Sequence, residues 1–152
     1  MTYEVRRPNT EEELQSIQQL RHAVLDQARL HQTDTALSPA DFADNNFHMA
    51  VFLGSMPVAA LRGDLLGRGL FQFQKVATAT EFQGQGLGTR LMQSAEAEAI
   101  ALGAHSIILA SREGRVQDFY ENLGFTVMSA PFTSPDGVKN LWMEKWVGPY
   151  DG

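Results

Sequence analysis

Residues 82–90, Phe-Gln-Gly-Gln-Gly-Leu-Gly-Thr-Arg, place Gly84, Gly86 and Gly88 between an apolar, β-branched run and a strongly helical one. Phe71, Phe73, Val76, Thr78 and Thr80 precede the glycines, and Leu87 to Ala101 follows them. Strand, glycine loop and helix in that order can bind phosphate. The first N–H groups of a helix lack internal partners and sit at the positive end of its dipole. Glycine carries no side chain to hold an anion away from the backbone. The plain alternative is a glycine-rich turn without a ligand. A nucleoside-triphosphate loop would end in Gly-Lys-Ser/Thr, but Gly88 is followed by Thr89 and Arg90. A dinucleotide fingerprint starting at Gly84 needs glycine at position 89, where Thr89 stands.

A third pattern fits. Gln83-Gly84-Gln85-Gly86-Leu87-Gly88 reads Q-x-x-G-x-G, which resembles the coenzyme A loop of the GNAT acetyltransferases (Gcn5-related N-acetyltransferases). Asp118-Phe119-Tyr120-Glu121-Asn122-Leu123-Gly124-Phe125 resembles the same family's F-Y-x-x-x-G-F signature. Tyr120 follows Gly86 by 34 positions, close to the family's spacing. Lys75-Val76-Ala77-Thr78 is similar to its fourth strand. The resemblance runs from about Tyr3 to Trp146. Leu20-Arg21, Val24-Leu25-Asp26-Gln27 and Asp136-Gly137 add a loose likeness to the ElaA branch.

The resemblance implies an acetyl-CoA-dependent N-acetyltransferase in one domain, residues 1–152. Acetyl-CoA would be the co-substrate. A primary amine of a small molecule or peptide would attack it directly in a ternary complex. Gln83, Gly84, Gln85, Gly86, Leu87, Gly88 and Thr89 would hold the pyrophosphate. The backbone of Val76, Ala77 and Thr78 would pair with pantetheine, one N–H polarising the acetyl carbonyl. Such a contact needs geometry rather than a side chain. The Tyr120 hydroxyl would protonate the leaving thiolate, since a phenol of pKa about 10 matches a thiolate of similar basicity. The structural alternatives are a strand paired fully within its sheet and a tyrosine that only packs. Two other functions stay open: a non-catalytic acyl-CoA-binding or sensor module, and an interaction protein with an unoccupied loop. Monomer and homodimer are both open.

The general base is less legible. Some relatives carry a glutamate in the fifth strand, where alignment on Tyr120 puts Ile108. Glu113 stands where the family often has asparagine. His48, Asp64, Glu81, Glu113 and water are the candidates, and His48 has the best-placed ordinary pKa, about 6.5. Asp34, Asp41 and Asp44 lie in a polar segment, residues 31–47, that would line the acceptor site or simply face solvent. Phe42, Phe47, Phe132 and Trp142 would add an apolar wall or belong to the core. Lys75 is expected to be structural.

Composition bounds these readings. The chain has 152 residues, 43% of them hydrophobic, which suffices for one domain with a core. It has no cysteine, which excludes disulfides and thiolate metal sites. His22, His31 and His105 show no metal-ligand spacing, so no metal is expected. A net charge of −6 argues against a nucleic-acid partner. No apolar run approaches the roughly 18 residues of a membrane helix, and the first residues lack a secretory core, so a cytoplasmic location is expected.

The elements that must position these residues follow from periodicity. Tyr3-Glu4-Val5-Arg6 reads as a strand. Thr10 caps a long helix that carries Leu14, Ile17, Leu20, Val24 and Leu25 and reaches about Arg29. Residues 40–46 suggest a short helical turn. Strands are expected at 48–53, 57–66 and 70–80, then a helix at 86–102 with Leu87, Leu91, Ala95, Glu98 and Leu102 along one side. A strand at 106–110, apolar throughout and so buried on both faces, follows. A helix at 113–123 and strands at 125–128 and 141–146 complete a mixed α/β chain. The resemblance implies a central, mostly antiparallel sheet of about six to seven strands flanked by helices.

Overall fold

In the computed structural model, which describes residues 2–26, 37–135 and 137–148, alternating side chains start the sheet with β1 (Tyr3–Arg6). Thr10 then ends the extended chain. Its hydroxyl accepts the Glu13 N–H at 3.1 Å, and Glu11, Glu12 and Glu13 sit at the positive end of α1 (Glu11–Arg21). The α-helix is shorter than its apolar spacing suggests. A π-helical segment, His22–Asp26, follows it. Gln27 and Arg29, where the expected helix was to run on, lie outside the described residues, as do His31, Asp34 and Asp136.

A 3-10 turn at Pro39–Phe42 leads into β2 (Asn46–Leu53), β3 (Met56–Gly67) and β4 (Leu70–Thr78). These three strands form an antiparallel meander. α2 (Leu87–Ala101), β5 (Ser106–Arg112) and α3 (Arg115–Asn122) come next. The chain closes with β6 (Thr126–Val127), β7 (Phe132–Thr133) and β8 (Lys139–Trp146). The sheet order is β1-β2-β3-β4-β5-β8-β6, with β7 also on β8. Every pairing is antiparallel except β4 with β5. The sheet thus has eight strands. The additional one, β7, is two residues long and too short to show a period.

One sheet face packs on α2 and α3 through Phe47, Val51, Leu61, Phe71, Phe73, Leu91, Ala95, Leu109 and Met143. α2 buries Leu87, Leu91, Met92, Ala95 and Ala99. Glu98 instead pairs with Arg7, and Leu102 is exposed. Nor is β5 buried on both faces: Ile107, Leu109 and Ser111 are buried, while Ala110 between them is exposed.

The other face meets α1 through Ile17, Leu20, Ala50, Phe52 and Ala60. Beside that small core lies a buried ion network. Arg21 Nη1 donates to Asp41 Oδ1 at 3.1 Å and Nη2 to His48 Nδ1 at 3.1 Å. Arg62 donates to Asp41 Oδ1 at 2.9 Å and to both oxygens of Asp64 at 2.7 and 3.1 Å. Gln74 Nε2 donates to Asp64 Oδ2 at 2.6 Å. Burial would raise the Asp41 pKa, but the Ser38 N–H, Arg62 and Arg21 outweigh it and hold the carboxyl at about 2. Burial pushes the His48 pKa down, and the Arg21 charge adds to that. With Nδ1 accepting from Arg21, Nε2–H donates to the Asp41 carbonyl at 2.8 Å, so the neutral ring satisfies both contacts.

Asp41→Asn removes the anion that faces two buried arginines. It should lower unfolding stability in urea by about 3–5 kcal/mol. An unchanged midpoint would show the network to be energetically idle. The pH dependence has a definite sign. The folded-state pKa of His48 lies below the usual value of about 6.5, so the unfolded chain takes up the proton first, and stability falls as pH drops below that value. His48→Gln should flatten the melting temperature between pH 7.5 and 5.

Candidate functional site

The glycine loop stands where the end of β4 meets the start of α2. Gly84 and Gly86 both have φ +79, a left-handed conformation in which a Cβ would be strained, and no atom lies within 4 Å of where either Cβ would be. Both are exposed. Arg90 N–H donates to Gly86 C=O at 3.1 Å, so the amides just before Arg90 precede the helical ladder and stay at the helix end. Gly88 differs. It lies inside the helix, and a Cβ there would meet Phe119 Cζ at 3.4 Å and Thr78 Oγ1 at 3.9 Å. The alternating glycines therefore differ: Gly84 and Gly86 shape the turn, whereas Gly88 lies where α2, α3 and the end of β4 meet and leaves room for a Cβ in ordinary contact. Gln83 Nε2 donates to the Thr78 carbonyl at 3.1 Å, and Tyr3 OH donates to Gln85 Oε1 at 3.1 Å. Those bonds tie the loop to β4 and β1.

β4 carries an irregularity that opens the sheet beside this loop. Ala77 pairs with Ala60 and Gln74 with Arg62, so β4 holds one more residue than β3 across that step. Lys75, at φ +54, absorbs it. The extra residue reverses which face each later side chain points to. Phe71 and Phe73 face α2, Gln74 faces the ion network, and Thr78 turns back toward Gly88 and Phe119. On its other side β4 pairs with β5 only through Leu70–Ser106, Phe71–Ile107 and Gln72–Ile108. β5 continues to Arg112 on β8 alone. Beyond Gln72 and Ile108 the two strands part. Val76, Ala77 and Thr78 thus lie on a strand edge that no described strand covers on that side.

Tyr120 lies on α3, which packs against the β5 side of the opening. Its ring is buried edge-on between Phe119 and Phe125, with centroids 5.2 and 5.9 Å away. Its hydroxyl makes no hydrogen bond among the described residues, and burial pushes its pKa above the usual tyrosine value. The phenol therefore stays protonated throughout the neutral range, and burial makes it a weaker acid than the match to a thiolate of similar basicity supposes.

The base candidates separate clearly. Both ring nitrogens of His48 are engaged, and Asp64 is held by Arg62 and Gln74. Glu81 and Glu113 are exposed. Asp41 is a buried counter-ion rather than part of an acidic rim, and Asp44 is exposed. Phe47 belongs to the core, Phe42 is exposed, and Phe132 stacks on Trp142 at 5.9 Å. Periodicity missed Arg21, Arg62 and Gln74. One signal was available: Arg62 and Asp64 stand two apart in an otherwise apolar strand and so share a face. Phe119, within the signature segment, is the α3 residue that faces Gly88. Among the described residues no group of His, Asp or Glu is placed to hold a metal ion, and no helix is long and apolar enough to cross a membrane.

The family model described as "Acetyltransferase (GNAT) domain" matches residues 45–127, a span that contains the glycine loop, the open edge and Tyr120. No curated protein matches the sequence. Solved structures are similar in fold. A Lactobacillus plantarum protein provisionally described as an N-acetyltransferase superposes with a TM-score of 0.84 at 22% identity, covering 97% of this chain and 99% of that one. ElaA of Escherichia coli superposes with a TM-score of 0.80 at 15% identity over 95% of this chain and 98% of its own. An aminoglycoside 6'-N-acetyltransferase complexed with coenzyme A gives 0.80 at 14% identity, with both chains covered in full (100%).

The three glycines should respond differently to alanine. Gly88→Ala adds an ordinary contact inside a helix and should stabilise the protein by about 0.5–1 kcal/mol. Gly84→Ala and Gly86→Ala place a Cβ in the left-handed region and should each cost about 1–2 kcal/mol. Urea unfolding of the three variants measures this. Equal effects at all three positions would refute the division of roles.

Proposed function

Since the chain belongs to the GNAT acetyltransferase domain family, we propose that it is a single-domain, cytoplasmic N-acetyltransferase that moves the acetyl group of acetyl-CoA to a primary amine. The observation that carries this reading is the uncovered edge of β4 beside an exposed, amide-rich helix start. A ligand with a phosphate group at one end and an extended, amide-bearing arm at the other fits that pair of features. The pyrophosphate would lie on the N–H groups of residues 83–89. The pantetheine arm would add to the edge at Val76, Ala77 and Thr78 as an extra strand. The thioester then sits in the opening between β4 and β5.

In a ternary complex the neutral amine nitrogen attacks the thioester carbonyl carbon. An N–H on the Val76–Thr78 edge stabilises the developing oxyanion. The carbon–sulfur bond breaks as the carbonyl re-forms, and the departing sulfur takes the Tyr120 proton. The ammonium proton passes to water, and water returns a proton to the Tyr120 phenolate, which restores the acid. Most of the acceleration comes from holding the two reactants together. A non-catalytic acyl-CoA-binding module is the second reading. The engagement of His48 and Asp64 favours it, because neither is free to take a proton.

Acetyl-CoA and desulfo-CoA should both raise the melting temperature, because each binds only the folded state. Gly86→Val should remove that shift. Equal binding by the variant would take the loop out of the site. Thiol release with a panel of amines separates the enzyme from the binding module. Tyr120→Phe keeps the ring between Phe119 and Phe125 but removes the acid. It should lower kcat by about 10²–10⁴-fold with cofactor affinity little changed. The loss should shrink for donors whose leaving thiol has a lower pKa. A near-normal kcat would make Tyr120 a packing residue.

A further inference from the structure

The carboxylates on the α1 side of the sheet differ in one respect. Asp41 and Asp64 are neutralised by Arg21 and Arg62. Glu144 is not. Its backbone carbonyl accepts from Thr126 Oγ1, while its carboxylate has no ion-pair or hydrogen-bond partner among the described residues. It is half-buried. Lys145, the next residue, reaches Glu96 on α2 at 2.9 Å, so Glu144 points to the opposite face.

The register puts Glu144 at the foot of the opening. Gln72 pairs with Ile108, the last rung between β4 and β5, and Ile108 pairs with Glu144. One rung on, Ala110 pairs with Trp142. Trp142 is half-buried and stacks on Phe132, and its partner Ala110 is exposed. These residues share the α1 side of the sheet. Ile108 and Ala110 form an apolar floor on β5 between Gln72 and Gln74 on β4 and Trp142 and Glu144 on β8. This strip leads along β4 toward the edge at Val76–Thr78. At a strand rise of about 3.3 Å per residue, and with one β4 residue taken up by the irregularity, Glu144 lies roughly 10–13 Å along the strand direction from Val76 and Ala77, the near part of that edge.

We propose that Glu144 and Trp142 select an elongated acceptor that carries a second positive charge about that far from the reacting nitrogen. This rests on the transferase reading above. The reacting amine must be uncharged to attack, and Glu144 is too far from the edge to serve it. The apolar floor and the Trp142 ring suit the stem of such an acceptor. The unneutralised carboxylate suits its distal ammonium or guanidinium, and the ring face adds to the attraction of a cation.

The test compares 1,8-diaminooctane with octylamine, which share a stem and differ in the distal charge. The wild-type kcat/KM ratio should favour the diamine by roughly tenfold or more, mainly through KM, and fall with added salt. Glu144→Gln should bring the ratio near one, and Glu144→Lys should take it below one. Binding of both amines to the protein–desulfo-CoA complex, followed by calorimetry, should show the same order. A wild-type ratio near one, or a ratio that Glu144→Gln leaves unchanged, would overturn the proposal while the transferase reading stands. If neither amine is bound or acetylated although acetyl-CoA binds, both fall.

Discussion

The structure depends on one backbone constraint, the extra residue in β4 at Lys75. A strand that carries one residue more than its neighbour must bend and twist at that point. Here the bend coincides with the region where β4 leaves β5 after only three paired rungs. A parallel pair could have continued for as long as both strands run. Instead the sheet opens, and backbone groups that would normally be paired face a gap. Such groups favour a partner that can complete the ladder. The same insertion turns Thr78 toward Gly88 and Phe119. The opening, the glycine loop and α3 therefore meet through one local deviation.

The two faces of the sheet serve different ends. On the α2 side the packing is apolar and continuous, and it presents the helix start and Tyr120 at fixed positions. On the α1 side an apolar patch gives way to the Arg21–Asp41–Arg62–Asp64 network. Buried ions are costly to desolvate and contribute little net stability when fully paired. Their geometric demand is the useful property. Arg21 and Arg62 each need an oxygen of Asp41, so the segment at Ser38–Phe42 has to dock beside β2 and β3. The same demand occupies His48 and Asp64, two residues whose types suggest proton transfer and whose surroundings leave them no room for it.

This shifts attention to groups that the network leaves out. Glu144 and Trp142 lie past the reach of Arg62, on the half of the α1 side that carries β5 and β8. A charge without a counter-ion among the described residues, at the foot of an opening, is a different object from one inside an ion-paired network, although both are carboxylates on the same face. Environment, rather than residue type, separates them.

Much of the site is local chemistry, and local chemistry is legible in sequence. Thr10 caps its helix through a bond three residues long. Gly84 and Gly86 announce a left-handed turn before a helix, and the Phe-Tyr-to-Gly-Phe segment announces a helix end before a strand. Apolar spacing located α2, α3 and the meander because each period is set within a few residues. The separate role of Gly88 was not legible, because it depends on Phe119 arriving from another helix. Neither was the exposure of Ala110, since an apolar run says nothing about what covers it. The extra residue in β4 exists only as a mismatch with β3. The fate of His48, Asp41 and Asp64 required Arg21 and Arg62, up to 21 residues away from Asp41, to meet them in space. Sequence by itself determined the conformations that short-range sterics and hydrogen bonds dictate. Strand register and tertiary packing decided which polar groups were neutralised and which were left open, because a charge takes its state from neighbours that the chain brings together only when folded.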